Sequence, residues 1–385
     1  MTTGRIPLRW LRKRELKMAR LLGELVRLES SSYDRAGINR LVTRLAAEWK
    51  MRGARVEWCR APATRKLPDL LRCEIPPAPG APAGQILLLG HMDTVYERGT
   101  LARMPFRIAR GRAMGPGALD MKAGLVIALA AMDALRAAGA RPRRRVVCLW
   151  TPDEEIGSRC SRAAISREAQ RSAAVLVLEP GTGPRGKLKT ERKGVGEFVV
   201  EVTGRAAHAG VNPQQGVNAV HELALQIARI ARFAEPRRGI TVNADVIAGG
   251  TRTNVIAERA RAQVDVRCAR AADARRLLAR FRGLRPILPG AKLRVTGGID
   301  RPPMERRSSA QLFAQARLLG RALGLRIEES STGGGSDGNF TAALGVPTLD
   351  GLGGAGAGAH TPGEYVTIRS LADRAALLAA LLQTL

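Results

Sequence analysis

The 385-residue sequence is poor in aromatic residues, in cysteine and in acidic residues. Phe, Trp and Tyr make up only 3% of the chain, which leaves few side chains to stack on nucleic-acid bases. The five cysteines include no Cys-x-x-Cys pair, and this pattern argues against a disulfide scaffold and against a thiolate zinc site. No apolar run approaches the ~20 residues that a membrane-spanning helix needs.

The N-terminal segment is also atypical of an exported protein. MTTGRIPLRWLRKRELK is basic but lacks the apolar stretch of a secretory signal peptide. We therefore expect a cytoplasmic protein that does not associate with membranes. Free thiols persist in that compartment, which agrees with the scattered cysteines.

Positive charge dominates the chain, because 63 Lys and Arg residues outnumber 34 Asp and Glu residues, for a net charge of +29. A charge balance this basic makes nucleic acid a partner to consider. However, the basic residues are spread through nearly every segment, and no nucleic-acid motif accompanies them. We interpret the charge mainly as a solvated surface that favours anionic substrates. Nucleic-acid binding stays as an alternative from a different functional class, and it would predict affinity that falls steeply with salt.

Apolar segments of strand length alternate with helical segments along most of the chain. QILLLG (85–90), VVCLW (146–150) and AAVLVLE (173–179) are predicted buried strands, and residues 119–139 are a predicted long apolar helix. This alternation predicts an α/β fold with a mixed, mostly parallel sheet covered by helices on both faces.

Residues 194–305 have a different pattern, with strands that alternate apolar and polar side chains. The order there is strand, helix, strand, strand, helix, strand. We predict that 194–305 form a small α+β domain inserted into a larger α/β domain made of residues 1–193 and 306–385.

Polar side chains collect beyond the ends of the predicted strands, which include VPTL (346–349), and at the start of the long helix. Seven residues share this placement: His91, Asp93, Asp120, Glu154, Glu155, Glu179 and His360. A lone histidine is more often structural, and an acid at a helix start is more often a cap. Ligands of open α/β sheets, however, bind beyond the carboxyl ends of the strands. The coincidence favours a metal site, and oxygen and nitrogen donors without sulfur suit zinc, cobalt or manganese.

The segments that carry these residues also form a recognisable series. In chain order they are GHMDTV (90–95), GALDMKAG (117–124), TPDEEIGS (151–158), LEPG (178–181), GRAAHAG (204–210), GGTRTNVI (249–256), GGGSDGN (333–339) and GAHTPGE (358–364). The series resembles the dinuclear zinc exopeptidases and deacylases, a family that includes glutamate carboxypeptidase, acetylornithine deacetylase and succinyl-diaminopimelate desuccinylase. The appearance is nearest to glutamate carboxypeptidase, and the resemblance spans nearly the whole chain after about residue 18.

The resemblance implies two Zn²⁺ ions per subunit, with Co²⁺ or Mn²⁺ as alternatives. His91 and Glu179 would bind one ion, Glu155 and His360 the other, and Asp120 would bridge them. A cis peptide would follow Asp120.

The resemblance also implies roles for two carboxylates beside the ions. Asp93 would fix the tautomer of His91 by accepting the proton of its second ring nitrogen. Glu154 would act as general base toward a water molecule. The sequence alone leaves open which of the adjacent Glu154 and Glu155 faces the metal.

The inserted domain resembles the lid and dimerisation domain of that family, so a homodimer is expected. His208 would stabilise the oxyanion from the partner subunit, and a solvated loop histidine is the alternative. Further residues are candidates to bind a substrate carboxylate through guanidinium, amide or backbone N–H groups: Arg252, Asn254, Arg267, Gly334 and Gly335.

Together these features predict a metallohydrolase that releases a C-terminal, glutamate-like amino acid from a peptidyl or N-acyl substrate. An N-acetyl or N-succinyl amino acid deacylase is the alternative within the same chemistry. The expected partner is therefore a small molecule rather than nucleic acid. A relative that has lost catalysis is disfavoured, because every expected ligand and the base are in the sequence.

Overall fold

The computed structural model describes residues 6–59 and 69–385, which fall into two compact units. The smaller unit consists of Arg192–Glu305 and Gly333–Gly335, and the other described residues form the larger unit. No helix in the described ranges is both long and apolar enough to cross a membrane.

The helices and strands are named here in chain order. The α-helices are α1 (Leu8–Arg12), α2 (Glu15–Arg27), α3 (Arg35–Met51), α4 (Ala123–Ala137), α5 (Arg162–Gln170), α6 (Ala219–Ala231), α7 (Ala271–Arg282), α8 (Ala310–Ala322), α9 (Gly338–Ala343) and α10 (Ile368–Thr384). The strands are β1 (Arg55–Cys59), β2 (Leu70–Ile75), β3 (Gln85–His91), β4 (Arg107–Ala109), β5 (Arg112–Met114), β6 (Arg145–Thr151), β7 (Ser172–Val177), β8 (Leu188–Arg192), β9 (Gly194–Thr203), β10 (Thr241–Gly249), β11 (Arg259–Cys268), β12 (Lys292–Arg301), β13 (Glu329–Thr332), β14 (Thr348–Leu349), β15 (Gly356–Ala357) and β16 (Tyr365–Thr367).

A six-stranded sheet in the order β1-β2-β6-β3-β7-β14 forms the centre of the larger unit. β6, β3, β7 and β14 run parallel, whereas β2 is antiparallel to both of its neighbours, β6 and the edge strand β1. The predicted α/β fold with a mixed, mostly parallel sheet is confirmed.

Continuous apolar strands require cover on both faces of this sheet, because successive side chains alternate between the faces. In β3, Ile86 and Leu88 pack into a core that includes residues of α2, α3, α4 and α10. Leu87 and Leu89 pack into a separate core with residues of α5 and α9. The parallel strands therefore end at an edge that lies between two helical layers.

The turn before α4 differs from the sequence prediction. The segment 119–139 was expected to be one helix opened by Asp120, but α4 begins only at Ala123. Asp120 and Met121 have non-helical backbone angles, and the peptide between them is cis, as the resemblance implied. The reason lies in a distant side chain, since the carboxylate of Glu364 accepts hydrogen bonds from backbone N–H groups of this turn.

The smaller unit is a four-stranded antiparallel sheet in the order β10-β11-β9-β12, with α6 and α7 packed on one face. The order of elements along the chain is the strand and helix order that the sequence predicts. Phe198 from β9 and Phe281 from α7 stack with their ring centroids 3.8 Å apart at the centre of its core. The other face of the sheet carries the polar residues of the alternating pattern.

Candidate metal centre

The carboxyl ends of three parallel strands in the larger unit carry acidic and histidine side chains. His91 is the last residue of β3 and pairs with Thr151, the last residue of β6. Glu154 and Glu155 begin a short 3-10 helix just after β6, and Glu179 follows β7. Because these strands are parallel neighbours, the side chains meet at one edge of the sheet.

Two more residues reach this edge from turns. Asp120 lies in the kinked turn before α4, and His360 lies in the loop between β15 and β16. His360 has a φ of 64°, a conformation that few residues other than glycine adopt. The five predicted metal ligands therefore lie together.

One cluster of possible ligand atoms contains His91, Asp120 and Glu179. The Nε2 atom of His91 lies 3.3 Å from Oδ1 of Asp120 and 3.4 Å from Oε1 of Glu179. His91 is 1% exposed and Glu179 is 7% exposed. A histidine nitrogen and two carboxylate oxygens thus converge in a largely buried site.

A second cluster contains Asp120, Glu155 and His360. The Nε2 atom of His360 lies 3.3 Å from Oδ2 of Asp120 and 3.2 Å from Oε1 of Glu155. Asp120 therefore turns one carboxylate oxygen toward each histidine. In both clusters the candidate ligand atoms lie within 4.8 Å of one another, so the shared carboxylate could bridge two cations.

The electrostatics of the clusters favour positive charge. Burial would lower the pKa of His91, but its hydrogen bonds to carboxylates, chiefly that of Asp120, raise this pKa well above its usual range. Hydrogen bonds with Asp120 and Glu155 raise the pKa of His360 to about 10. Burial would raise the pKa of Asp120, but hydrogen bonds with His360 and His91 hold it well below the usual range. Nitrogen and oxygen donors in such surroundings suit a divalent cation such as zinc.

Asp93 is fully buried and organises the backbone next to the clusters. Its carboxylate accepts hydrogen bonds from the backbone N–H groups of Glu154 and Glu155, each at 3.1 Å, and from the hydroxyl of Ser32 at 2.7 Å. The second ring nitrogen of His91 lies 2.9 Å from the backbone oxygen of Asp93 and 3.4 Å from its carboxylate. The carboxylate contact expected from the resemblance is thus the longer of the two.

The loop that carries Glu154 and Glu155 is fixed by two other buried aspartates. Asp337 accepts hydrogen bonds from the hydroxyls of Thr151, at 3.1 Å, and Ser158. Asp153 accepts a hydrogen bond from the backbone N–H of Cys160 at 2.7 Å. Asp153, the first acid of the run Asp153–Glu155, therefore faces its own turn. This orientation relieves the repulsion among three consecutive carboxylates.

Glu364 was not among the predicted site residues, although it ends the segment GAHTPGE. Its fully buried carboxylate accepts hydrogen bonds from the backbone N–H groups of Gly117, Leu119 and Asp120, at 3.2, 2.8 and 2.9 Å, and from the hydroxyl of Tyr96 at 2.7 Å. Glu364 therefore holds the turn that presents the shared carboxylate. Its position four residues after His360 was the only available signal.

Lys189 was also missed, because it is one of many basic residues and stands in no motif. Its Nζ atom lies 4.0 Å from Oε2 of Glu179, the carboxylate oxygen other than the one near His91. The ammonium group adds positive charge beside the first cluster.

The predicted substrate-binding residues lie in the smaller unit. Two loops that carry some of them lie side by side. The loop with His208 pairs with the loop of Arg252 and Asn254, since the N–H of Ala209 donates to the carbonyl of Asn254 at 3.0 Å and His208 forms a bridge with Val255. Arg252 and Asn254 are exposed. These three side chains therefore share one surface of the smaller unit.

The guanidinium of Arg267 and the carbonyl oxygens of Gly334 and Gly335 have partners within the smaller unit. The guanidinium of Arg267 binds both carboxylate oxygens of Asp265, at 2.8–3.1 Å. The carbonyl oxygens of Gly334 and Gly335 accept hydrogen bonds from Arg192, at 3.2 and 2.9 Å. Arg267 is thus a weaker candidate for a substrate carboxylate than Arg252.

Known proteins are similar to this chain in sequence. The sequence model of one protein family, the peptidase family M20/M25/M40, matches residues 87–384 of this chain. Carboxypeptidase G2 of Pseudomonas sp. (strain RS-16) is 32% identical over 372 residues, covering 94% of this chain and 88% of that protein. Acetylornithine deacetylase of Yersinia pseudotuberculosis (serotype O:1b) is 29% identical over 243 residues, covering 59% of this chain and 60% of that protein.

Solved structures show the same fold. Aminopeptidase PepT from Bacillus cereus has a TM-score of 0.81 at 22% identity, and the match covers 96% of this chain and 98% of that one. The M20 family metallo-carboxypeptidase Sso-CP2 from Sulfolobus solfataricus has a TM-score of 0.71 at 17% identity, covering 95% and 98%. At these identities the similarity establishes the fold and not the substrate.

The contacts of Glu364 predict that Glu364→Gln weakens metal binding by about 10–100-fold, the usual effect of changing a group that orients a ligand. A glutamine amide offers one acceptor oxygen where the carboxylate has two, so a buried donor in the Asp120 turn would lose its partner. Competition with a chelator measures the affinity for Zn²⁺ and Co²⁺.

Glu29→Gln is the matched control, because Glu29 also accepts two backbone hydrogen bonds, from Gly99 and Leu101 at 2.9 Å. Metal affinity should be unchanged in this variant. Equal losses in both variants, or none in Glu364→Gln, would contradict the role of Glu364.

Proposed function

Since the chain belongs to the peptidase family M20/M25/M40 and is a metallohydrolase, we propose that it cleaves an amide bond to release a C-terminal, glutamate-like amino acid from a peptidyl or N-acyl substrate. The main support for the proposal is the pair of clusters that share Asp120. Glu154 stands next to Glu155, a member of the second cluster. The similarity to carboxypeptidase G2 covers 94% of the chain, against 59% for acetylornithine deacetylase. This difference favours the carboxypeptidase over the deacylase.

The two clusters would hold two Zn²⁺ ions per subunit, with Co²⁺ or Mn²⁺ as alternatives. His91 and Glu179 would bind one ion, Glu155 and His360 the other, and Asp120 both. Bound in this way, such ions polarise a substrate carbonyl and lower the pKa of water. The protein's own part is to fix the five side chains, which Asp93 and Glu364 support through the backbone.

Glu154 would act as the general base. It takes a proton from the attacking water and delivers it to the nitrogen of the departing amine. Its backbone N–H is fixed by Asp93, and the residue is 8% exposed. Its neighbour Glu155 lies 3.2 Å from His360 in the second cluster, which supports Glu155 as the ligand and Glu154 as the base.

The substrate would be held by residues of the smaller unit, which we assign to a lid and dimerisation role. His208 would donate to the oxyanion from the partner subunit, and Arg252 with Asn254 would bind the carboxylate of the released amino acid. Their shared surface supports this grouping. The free cysteines support a cytoplasmic site of action.

A panel of zinc-loaded reactions tests the proposed substrate class. Amino-acid release is measured from aryl and peptidyl glutamate conjugates, dipeptides and N-acetyl or N-succinyl amino acids. Release of glutamate from the conjugates is expected to be fastest. Faster hydrolysis of N-acetyl-ornithine-like compounds would assign the chain to the deacylases, and salt-sensitive DNA or RNA binding without hydrolysis would favour the basic nucleic-acid-binding alternative.

The shared carboxylate predicts unequal metal losses in ligand variants. The wild type should bind about two zinc ions per chain, His91→Ala and His360→Ala about one, and Asp120→Asn close to none. Elemental analysis after dialysis measures the content. His221→Ala, at an exposed histidine on α6, is the control and should keep both ions. Full occupancy in Asp120→Asn would refute the bridge.

Substitution of the adjacent glutamates separates base from ligand. Glu154→Gln should keep the metal content and lower kcat by about 10²–10⁴-fold, because it removes only the proton acceptor. Glu155→Gln should lose metal and activity together. If Glu154→Gln instead lost metal while Glu155→Gln kept it, the two roles would be exchanged.

Mixing two inactive variants tests whether His208 of one subunit acts at the site of its partner. In mixed dimers of Glu154→Gln and His208→Ala, one site combines an intact Glu154 with the partner's intact His208. Co-refolded equimolar chains should therefore recover about one quarter of wild-type activity. Either variant alone should stay near its own basal rate. No recovery, or an active wild-type monomer by light scattering, would remove the partner's contribution.

A further inference from the structure

A second concave site lies in the larger unit, apart from the candidate metal centre. It is a groove of about 750 Å³ between α2, α3 and the C-terminal half of α4. Sites for small molecules typically enclose ~300–1,000 Å³. The groove reaches Asp133, which lies ~15 Å along the axis of α4 from its first residue, Ala123. Within the described part of the chain, none of the five candidate metal ligands lines it.

The floor of the groove is apolar. The apolar residues that line the groove include Met18 and Leu21 of α2, Leu129 and Ala130 of α4, and Trp10. Burial of such a surface by an apolar ligand is favourable at roughly 25 cal/mol per Å². The floor therefore suits a hydrocarbon chain or an aromatic ring.

The acidic side chains of the groove are already paired with arginines. Arg44 binds Glu24 at 2.9 Å and also contacts Glu48. Arg52 binds Asp133 at 2.8 Å and Glu48, and it donates to the backbone oxygens of Glu48 and Leu129. These contacts neutralise the groups that would repel an anion.

Four further cations line the groove: Arg14, Lys17, Arg20 and Arg136. None of them has a carboxylate within 4.0 Å among the residues that the structure describes. Arg14 stacks on Trp10, with its guanidinium 3.7 Å from the ring centroid, whereas Lys17, Arg20 and Arg136 are exposed. An apolar floor thus lies beside a cluster of unneutralised positive charge.

We propose that this groove binds a small anionic amphiphile, a molecule with a carboxylate and an apolar chain or ring. The carboxylate would lie among Lys17, Arg20 and Arg136, and the apolar body would lie on the floor next to Trp10. A wholly polar anion would leave the floor uncovered, and a neutral apolar molecule would leave the cations without a partner. The site is independent of the proposed hydrolysis and uses part of the excess positive charge that the metal centre does not explain.

Decanoate below its micelle concentration is the probe, titrated into the full-length protein by calorimetry. One saturable site per chain is expected. Acetate keeps the charge and decanol keeps the chain, and each should bind at least about tenfold more weakly. Acetate or decanol binding as tightly as decanoate would overturn the proposal, as would the absence of decanoate binding.

Charge-neutral variants locate the site. Lys17→Gln with Arg20→Gln and Arg136→Gln should weaken decanoate binding at least about tenfold. Arg9→Gln with Lys13→Gln and Lys50→Gln is the matched control, because it removes the same charge from exposed positions outside the groove. Equal weakening in the two triple variants would assign binding to general surface charge and overturn the proposal.

A single variant guards against a folding defect, which circular dichroism would reveal. Met51 lines the groove and is 66% exposed, so Met51→Glu adds an anion without disturbing the core and should also weaken decanoate binding. Zinc content should match the wild type in every variant. Binding to phosphatidylglycerol vesicles and to duplex DNA is measured for the wild type and for the triple variant of Lys17, Arg20 and Arg136. If the triple variant lost that binding, and decanoate bound neither the wild type nor the variant, the groove would be a macromolecular surface and the proposal would be wrong.

Discussion

The sharing of Asp120 between two histidines is the constraint on which the rest of the site depends. Its two carboxylate oxygens lie 3.3 Å from the ring nitrogens of His91 and His360, which come from opposite ends of the sequence. The turn before α4 that carries Asp120 leaves the helical conformation at Asp120 and Met121. The α/β scaffold places the other ligands at strand ends and in a loop. The turn before α4 adds Asp120, the carboxylate that joins the two clusters into one site.

Buried carboxylates that accept hydrogen bonds from backbone N–H groups or from side-chain hydroxyls hold that arrangement. Glu364 fixes the Asp120 turn, Asp93 fixes the backbone of Glu154 and Glu155, and Asp337 fixes both ends of the same loop. A buried carboxylate without such partners would cost several kcal/mol. Each of these acids therefore stabilises a local backbone path, and through it the position of a side chain at the centre. Rigid support of this kind is what separates a preorganised site from a collection of suitable residues.

The sequence predicted the parts of this site that depend on local pattern. β3, β6 and β7 are continuous apolar runs because both faces of the sheet are covered, and the polar residues stand where those runs end. The Asp120 turn was predicted as helix because its apolar neighbours continue a helical pattern, and the carboxylate that opens it is 244 residues away. Arg267 looked equivalent to Arg252 because the sequence could not show that Asp265, on the same strand, binds its guanidinium. Hydrogen-bond partners, distant for the Asp120 turn and two residues away for Arg267, were therefore what escaped prediction.

Anomalous diffraction from crystals of the zinc-loaded protein would show whether Asp120 joins two metal ions. Data collected on either side of the zinc absorption edge give the number and position of the ions without reference to activity. We expect two peaks per chain, one among His91, Asp120 and Glu179 and one among Asp120, Glu155 and His360, on either side of the shared carboxylate. A single peak, or a pair of peaks that Asp120 does not join, would contradict it.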